Sequence, residues 1–275
     1  FMVSASVASY EDYDLARMYE IKGRLEEKLR DNLQALRNAA GNLRASLRAS
    51  DHSGENVGDT VQITMVGDNL GWSYVTRNCK LERKTDHCKI FVDQESFEGL
   101  SAVNDLYRVT ASDLDHFAKE FEDYIYPLMV TNYGNVYDID QDGRLSIIIS
   151  PVYAKIGFAG LFNSIDMTPP DPVKGPPANS NQRDMIGVWS PGFNSKWQGE
   201  YWRAATRETI AHEMQHAINY SAKVYPGGVV KTGVGNYDSL LEDMWLDESL
   251  SVGAEARYRI RRGENSETSS YGGSI

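Results

Sequence analysis

The sequence is poor in the two residue types that most often bind metals and form cross-links: it has 5 histidines and 2 cysteines among 275 residues. It also has no run of about 18 uninterrupted apolar residues, which excludes an integral membrane segment of that kind. Basic residues are in deficit, because 28 Lys and Arg stand against 39 Asp and Glu, for a formal net charge of −11. This balance argues against non-specific binding to nucleic acid or to anionic lipid.

The chain begins at Phe1, and no basic segment followed by an apolar segment comes after it. We therefore expect that any signal peptide is absent from this chain. Hydrophobic residues make up 41% and aromatic residues 11% of the sequence, which is enough for a real core. The composition predicts a folded globular protein.

The two cysteines, Cys79 and Cys88, bracket the polar segment 80–87. Alternating apolar and polar residues on both sides of this segment predict two antiparallel strands joined by a loop. A disulfide across the hairpin is the arrangement that we expect, and it would favour an exported protein. Two free thiols are the alternative, whereas a zinc site is disfavoured because such sites space their cysteines by about two to four residues.

Apolar residues recur at intervals of three and four along residues 10–49, which predicts one long helix. We favour a helix that lies against the following domain over a coiled coil that would mediate oligomerisation. The polar residues 49–57 predict a linker. The predicted domains are a helical extension (1–55) and a main domain (56–275), with a sheet-rich part at 56–200 and a helical part at 201–262.

The main domain shows strand patterns and helix patterns in separate groups. Strands are predicted within 59–93, a helix at 112–133 and a strand pair at 136–150, and a long irregular segment follows at 151–183. This order predicts an α+β fold in which a mixed or antiparallel sheet packs on a helix.

Three aspartates, Asp138, Asp140 and Asp142, alternate before Gly143 and resemble the start of a calcium-binding loop. The twelfth position of an EF-hand supplies a bidentate Glu, whereas this chain has Ile149, so the segment is not an EF-hand. A calcium loop of another kind and a metal-free Asp-Gly turn between two strands both stay open.

Two of the five histidines, His212 and His216, enclose Glu213 in an H-E-x-x-H pattern. On a helix the two imidazoles lie one turn apart, where both can bind one Zn²⁺ at about 2.1 Å. Glu213 lies beside them and can accept a proton from a water that the metal activates. The apolar residues of 210–221 fall on the opposite side, so the helix is predicted to bury that side and to present both imidazoles on one edge. An ordinary solvated helix face is the alternative.

The third zinc ligand should be a carboxylate, because no histidine follows His216 and an open catalytic site needs three protein ligands. Residues 240–261 predict a helix in which Glu248 lies on an apolar stripe. An ionised carboxylate on a buried face is costly unless it is paired or metal-bound. We therefore predict that Glu248 is the ligand.

Two alternatives to this role of Glu248 stay open. Asp247 could be the ligand in its place, or Glu248 could pair with Arg203 or Arg207. Glu255 shares the stripe of Glu248 and is predicted to orient one of the histidines.

These residues belong to segments that together resemble the hyicolysin family of secreted bacterial zinc metallopeptidases and, more broadly, the gluzincins. The resemblance covers about residues 55–260, and the segments that carry it are 138–149, 181–191, 209–219 and 245–255. It implies a zincin-like fold, zinc ligands His212, His216 and Glu248, and Glu213 as general base. The chain departs by reading WLDES at 245–249 where relatives more often have WLNEG, which leaves the ligand position intact.

The motif and the resemblance predict a secreted or cell-envelope zinc endopeptidase that hydrolyses protein or peptide substrates. A non-catalytic surface or binding protein with a structural or vestigial metal site is the alternative. An oxyanion usually needs a donor besides the metal. The candidates for this donor are Tyr220, Tyr225, Tyr237 and Tyr258. The strand Met185–Ser190 could be the sheet edge to which an extended peptide adds, or a plain sheet strand.

Overall fold

A computed structural model of the chain describes residues 51–67, 73–95, 108–168, 178–192, 199–226 and 244–263. The long helix predicted for residues 10–49 lies outside the described residues. The division into a helical extension and a main domain therefore stays a prediction.

Six strands of the described residues form one mixed sheet. They are β1 (Thr60–Val66), β2 (Tyr74–Lys84), β3 (Cys88–Asp93), β4 (Leu145–Ser150), β5 (Gly160–Leu161) and β6 (Met185–Trp189). Their order across the sheet is β1-β2-β3-β4-β6-β5. β1, β2 and β3 pair antiparallel, β3, β4 and β6 pair parallel, and β5 returns antiparallel to β6.

The helices of the described residues lie between and after these strands. They are α1 (Ala111–Glu120), α2 (Tyr126–Tyr133), α3 (Pro151–Lys155), α4 (Gly199–Val224) and α5 (Met244–Arg262). A π-helical segment, Phe121–Ile125, joins α1 to α2 without a break. Thr110 begins α1 with a capping box, because its side chain accepts from the backbone N–H of Asp113 while the Asp113 side chain accepts from the backbone N–H of Thr110.

The centre of the sheet is buried on both faces. Every residue of β3, β4 and β6 is buried, as expected for parallel strands that are covered on either side. Helices α1 and α4 contact the sheet, and α5 packs on α4. The result is a mixed α/β architecture that is compatible with the predicted α+β fold.

The predicted helix at 112–133 is confirmed as the continuous run from α1 to α2. The predicted strand pair at 136–150 is only half right, because β4 is a strand whereas residues 136–144 form bends and loop. The loop residues Gln141 and Gly143 have φ angles of 58° and 73°, which do not fit a strand. The Asp-Gly segment is thus a loop that leads into β4, and no strand precedes it within residues 136–144.

Residues 51–59, which include most of the predicted linker, are attached to the sheet. The Lys84 side chain donates to the backbone oxygen of Glu55 at 2.7 Å. The carboxylate of Glu55 accepts from Lys89 at 2.8 Å and forms an ion pair with Arg183 at 2.5 Å. This segment therefore belongs to the folded domain.

The predicted disulfide between Cys79 and Cys88 is wrong, because both cysteines are free and buried. The hairpin itself is confirmed, but residues 80–84 continue β2 instead of forming the loop. Cys79 lies opposite Asp93, five residues beyond Cys88 along β3. At about 3.4 Å per residue the two cysteines lie roughly 17 Å apart, whereas a disulfide needs Cα atoms within about 7 Å.

We expect thiol titration of the unreduced protein in denaturant to find two free thiols per chain. In the native protein both should react slowly, because burial raises the pKa of Cys88 to about 12 and also raises that of Cys79. Titration with a chromogenic disulfide reagent measures the number of thiols in denaturant and the rate at which they react in the native protein. Fewer than two thiols in denaturant would contradict the structure.

Candidate metal centre

The H-E-x-x-H segment lies in the middle of α4, the central helix of the domain. Every residue from Ala205 to Ile218 is buried, including His212 at 3% exposure and His216 at 6%. The sequence predicts that the apolar side of this helix is buried, and in the structure the histidine side is buried as well. The reason is that α5 packs over that face and brings its own polar residues onto the histidines.

The structure brings His212, His216 and Glu248 into one group that could hold a metal ion. The Nε2 atoms of the two histidines are 3.1 Å apart. The carboxylate oxygens of Glu248 lie 3.5 Å from His212 Nε2 and 3.7 Å from His216 Nε2. The three side chains thus converge on one point between α4 and α5.

These distances suit a zinc ion. Two ligand atoms bound tetrahedrally at about 2.1 Å lie about 3.4 Å from each other, close to the spacings in this group. Two imidazoles and a carboxylate are also a donor set that zinc accepts in catalytic sites. Without a cation, moreover, a buried carboxylate would lie against two buried imidazoles whose Nε2 atoms face each other. The residues therefore fit the metal that the motif predicts.

The other ring nitrogens of the histidines face carboxylates. His216 Nδ1 is hydrogen-bonded to Asp247 Oδ2 at 2.8 Å, and His212 Nδ1 lies 3.0 Å from Glu255 Oε1. Asp247, the alternative ligand, therefore contacts the nitrogen on the far side of the ring from Glu248. Glu255 lies where a residue that orients His212 should be.

Sequence reasoning missed Ser251. Its hydroxyl donates to Gln215 Oε1 at 2.6 Å and lies 3.2 Å from His216 Nδ1. Ser251 is three residues after Glu248 on α5 and hence on the same helix face. That spacing was the one available signal, and it is weak for a residue as common as serine.

The alternative partners of Glu248 are engaged elsewhere. Arg203 forms ion pairs with Glu200 and Asp113, and Arg207 forms one with Glu200. These contacts lie near the start of α4. The structure thus offers no support for the alternative in which an arginine neutralises Glu248.

Glu213 is buried beside the metal group and contacts the edge of the sheet. Its Oε2 accepts a hydrogen bond from the backbone N–H of Phe162 at 2.8 Å. β5 approaches α4 so closely that a Cβ at Gly160 would lie 2.4 Å from Thr209 Cγ2 and 2.7 Å from Glu213 Cγ. Glycine at position 160 is what allows this contact.

The strand Met185–Trp189 forms as predicted, but it is not the edge of the sheet. β5 pairs with β6 through Gly160–Val188 and Leu161–Gly187, so β5 is the edge on this side of the described sheet. Two residues form β5, which is too short for sequence patterns to detect. The segment next to Glu213 is therefore β5.

The predicted tyrosines have other partners. The Tyr258 hydroxyl donates to Glu120 Oε1 at 2.6 Å, and the Tyr220 hydroxyl lies 3.4 Å from Thr168 Oγ1. Tyr225 donates to the backbone oxygen of Met167. None of these hydroxyls is hydrogen-bonded to a residue of the metal group, and Tyr237 lies outside the described residues. The choice of an oxyanion donor among the tyrosines therefore stays a prediction.

The aspartates of the predicted calcium loop divide into two groups. Asp138 and Asp140 come together with Asp184, which the sequence prediction did not include. Asp142 instead forms a buried ion pair with Lys89. The loop alone therefore does not supply the predicted ligand set.

The charges around His212 favour its protonated form when no metal is present. Burial lowers the pKa of His212, but the carboxylates of Glu248 and Glu255 raise it by more, to about 9. Burial also raises the pKa of Glu255, against the opposing effect of His212. A cation must therefore displace a proton from this group.

No family model matches this chain. The chain is similar to the neutral metalloprotease ShpI of Staphylococcus hyicus, with 24% identity over 151 residues. The match covers 54% of this chain, and the chain spans about a third (32%) of that protein's length. A distant relationship to a metallopeptidase, with a metal cofactor, is the most that this similarity supports. No helix of the described residues has the length and apolar character needed to cross a membrane.

We expect the apparent zinc affinity of the metal-free protein to rise about tenfold per pH unit between about pH 7 and about pH 9, and then to level off. The reason is that one proton leaves His212 for each ion bound. Competition with a chromophoric chelator at each pH measures the profile. The control is the variant His87→Gln, at a half-exposed histidine that is paired with Glu122. This variant should show the same pH profile of zinc affinity as wild type. A flat profile would contradict the raised pKa.

Proposed function

We propose that this chain is the zincin-like catalytic domain of a zinc-dependent endopeptidase related to the hyicolysin family. One observation carries the proposal. A buried carboxylate, Glu213, lies beside a group of two histidines and a glutamate that fits zinc, yet it is outside that group. A purely structural metal site has no use for such a carboxylate.

In this proposal, His212, His216 and Glu248 would hold a zinc ion, which when bound would supply a Lewis acid for the scissile carbonyl and for the attacking water. Glu213 accepts the proton of that water and delivers it to the leaving amine. The N–H of Phe162 donates to Oε2 of Glu213 at 2.8 Å. Holding one oxygen in this way fixes the orientation of the carboxylate.

Asp247, Ser251 and Glu255 act through the histidines. By contacting Nδ1, Asp247 and Ser251 keep His216 turned with Nε2 toward Glu248, and Glu255 does the same for His212. All three residues belong to α5, as does Glu248. The packing of α5 on α4 therefore determines both where the three metal ligands lie and how the two imidazole rings are oriented.

We propose that the substrate is a protein or peptide that binds in extended form along β5. This strand is one edge of the described sheet, and its Gly160 lies against the Glu213 side chain. An edge strand offers unpaired backbone groups to an extended chain. A peptide that pairs with β5 would have its backbone close to Glu213, the proton acceptor.

We also propose a secreted or cell-envelope location, which rests on the resemblance to secreted metallopeptidases. The cysteines no longer support it, because they are not bonded to each other. The predicted absence of nucleic-acid binding, and the view that the N-terminal helix does not drive oligomerisation, stay predictions.

The variant Glu213→Gln should lower peptide hydrolysis by about two to four orders of magnitude, because it removes the proton acceptor and keeps the shape. Zinc content should stay at one ion per chain. Cleavage of a quenched fluorescent peptide library, with metal analysis of the same samples, measures both. The matched control is Glu200→Gln on the same helix, where the side chain is 65% exposed.

Glu200→Gln should retain wild-type activity. A wild-type protein that is folded and contains zinc but cleaves neither casein nor the peptide library would contradict the proposal. That result would favour the non-catalytic alternative, a binding protein with a structural or vestigial metal site. Equal activity of Glu213→Gln and wild type would contradict the role of Glu213.

Variants of the adjacent residues Glu248 and Asp247 should separate the ligand from the orienting residue. We expect Glu248→Gln to lose stoichiometric zinc at micromolar metal, whereas Asp247→Asn should weaken zinc binding only by about 10- to 100-fold. Chelator competition measures both affinities. Weaker zinc binding in Asp247→Asn than in Glu248→Gln would reverse the two roles.

A further inference from the structure

A second group of carboxylates lies where two parallel strands of the sheet begin. Asp138 and Asp140 belong to the loop before β4, and Asp184 directly precedes β6. The backbone oxygen of Asp184 accepts from the N–H of Ser146 at 2.9 Å, which joins the two strand starts. One carboxylate oxygen from each aspartate lies within 4.8 Å of the other two.

Two of these carboxylates are buried, and three of their four oxygens have no donor among the described residues. Asp140 is 0% exposed, and Asp184 is 3% exposed. Neither oxygen of Asp140, nor Oδ1 of Asp184, has an N–H or O–H donor among the described residues. A buried carboxylate oxygen without a donor is costly unless a cation lies next to it. One carboxylate oxygen of Asp140 lies within 4.8 Å of one of Asp184, so a single cation could contact both aspartates.

The nearby buried cations are committed to other carboxylates. Lys89 forms ion pairs with Glu55 and Asp142, and Arg183 forms one with Glu55. Two positive charges are thus balanced by Glu55 and Asp142. Among the described residues, neither Lys89 nor Arg183 forms an ion pair with Asp140 or Asp184, so one divalent cation could bind both of these carboxylates.

The exposed Asp138 completes the group from the solvent side. Its oxygens accept from the backbone N–H groups of Asp142 and Gly143 at 3.0 and 3.1 Å, which holds the loop around Asp140. Its carboxylate retains further lone pairs, and its exposure leaves room for water. Carboxylates together with water are the ligands that calcium prefers, whereas magnesium demands a stricter octahedron and zinc prefers nitrogen or sulfur.

We propose that Asp138, Asp140 and Asp184 bind one calcium ion, which ties the loop before β4 to the start of β6. The same loop reaches α4, because the Tyr137 N–H donates to Ser221 Oγ at 2.8 Å and its ring stacks on Tyr225. Calcium therefore stabilises the loop that packs against α4, and it does so at a site separate from the zinc group. This proposal does not depend on the proposed peptidase activity.

The test uses the full chain, stripped of metals and reloaded with one equivalent of zinc. Equilibrium dialysis against radioactive calcium should find one ion per chain. At a calcium concentration about a hundred times Kd, the unfolding temperature should rise by about 5–10 °C. No calcium uptake by the folded wild type would overturn the proposal, as would an equal response to magnesium, which would mean a site without calcium preference.

Asp140→Asn and Asp184→Asn should each abolish the calcium response. Asparagine has the size of aspartate and carries no charge, so in calcium-free buffer each variant should unfold at a temperature equal to or higher than that of wild type. The control Asp115→Asn, whose side chain is 70% exposed, should bind calcium as wild type does. Wild-type calcium binding by the double variant Asp140→Asn and Asp184→Asn would overturn the ligand assignment.

His212→Ala separates this proposal from the peptidase proposal. It should lose zinc yet keep one calcium ion per chain. If His212→Ala loses calcium as well, the two sites are not independent and the proposal fails. An inactive wild type that still binds calcium would overturn only the peptidase proposal.

Discussion

The arrangement of the site depends on the burial of ionisable groups between α4 and α5. His212, His216, Glu213, Glu248 and Glu255 are all at most 6% exposed. A buried ionisable group is stable only when an opposite charge compensates its charge and hydrogen-bond partners satisfy its polar atoms. Here the compensation comes from one helix facing another: α4 supplies the imidazoles and α5 supplies carboxylates on both sides of them. A metal ion between the three ligands would complete the compensation.

The sheet holds the third component of the site. In the sheet that the structure describes, β5 is an edge strand, and Gly160 lets the backbone come close enough for the Phe162 N–H to donate to Glu213. The proton acceptor is therefore fixed by the sheet, whereas the ligands are fixed by the helix pair. Since α4 contacts both β5 and α5, it fixes the position of these two elements relative to each other.

The same electrostatic constraint recurs at the start of β4 and β6. Three carboxylate oxygens of the buried Asp140 and Asp184 have no donor among the described residues, while the neighbouring lysine and arginine are engaged with other carboxylates. The two acidic groups differ in chemistry, since one contains imidazoles and the other only carboxylates. This difference favours zinc in the first and calcium in the second.

The sequence by itself determined the elements whose signal is local. The period of the apolar residues predicts the helix at 112–133 and the buried strand β4, and one helical turn brings His212 and His216 to the same face. The absence of later histidines requires a carboxylate as third ligand. Tertiary structure decided the rest, because it depends on contacts between distant segments. Strand register separates Cys79 from Cys88, Asp184 replaces Asp142 because two parallel strands begin side by side, and α5 buries the histidine face that α4 alone would leave open.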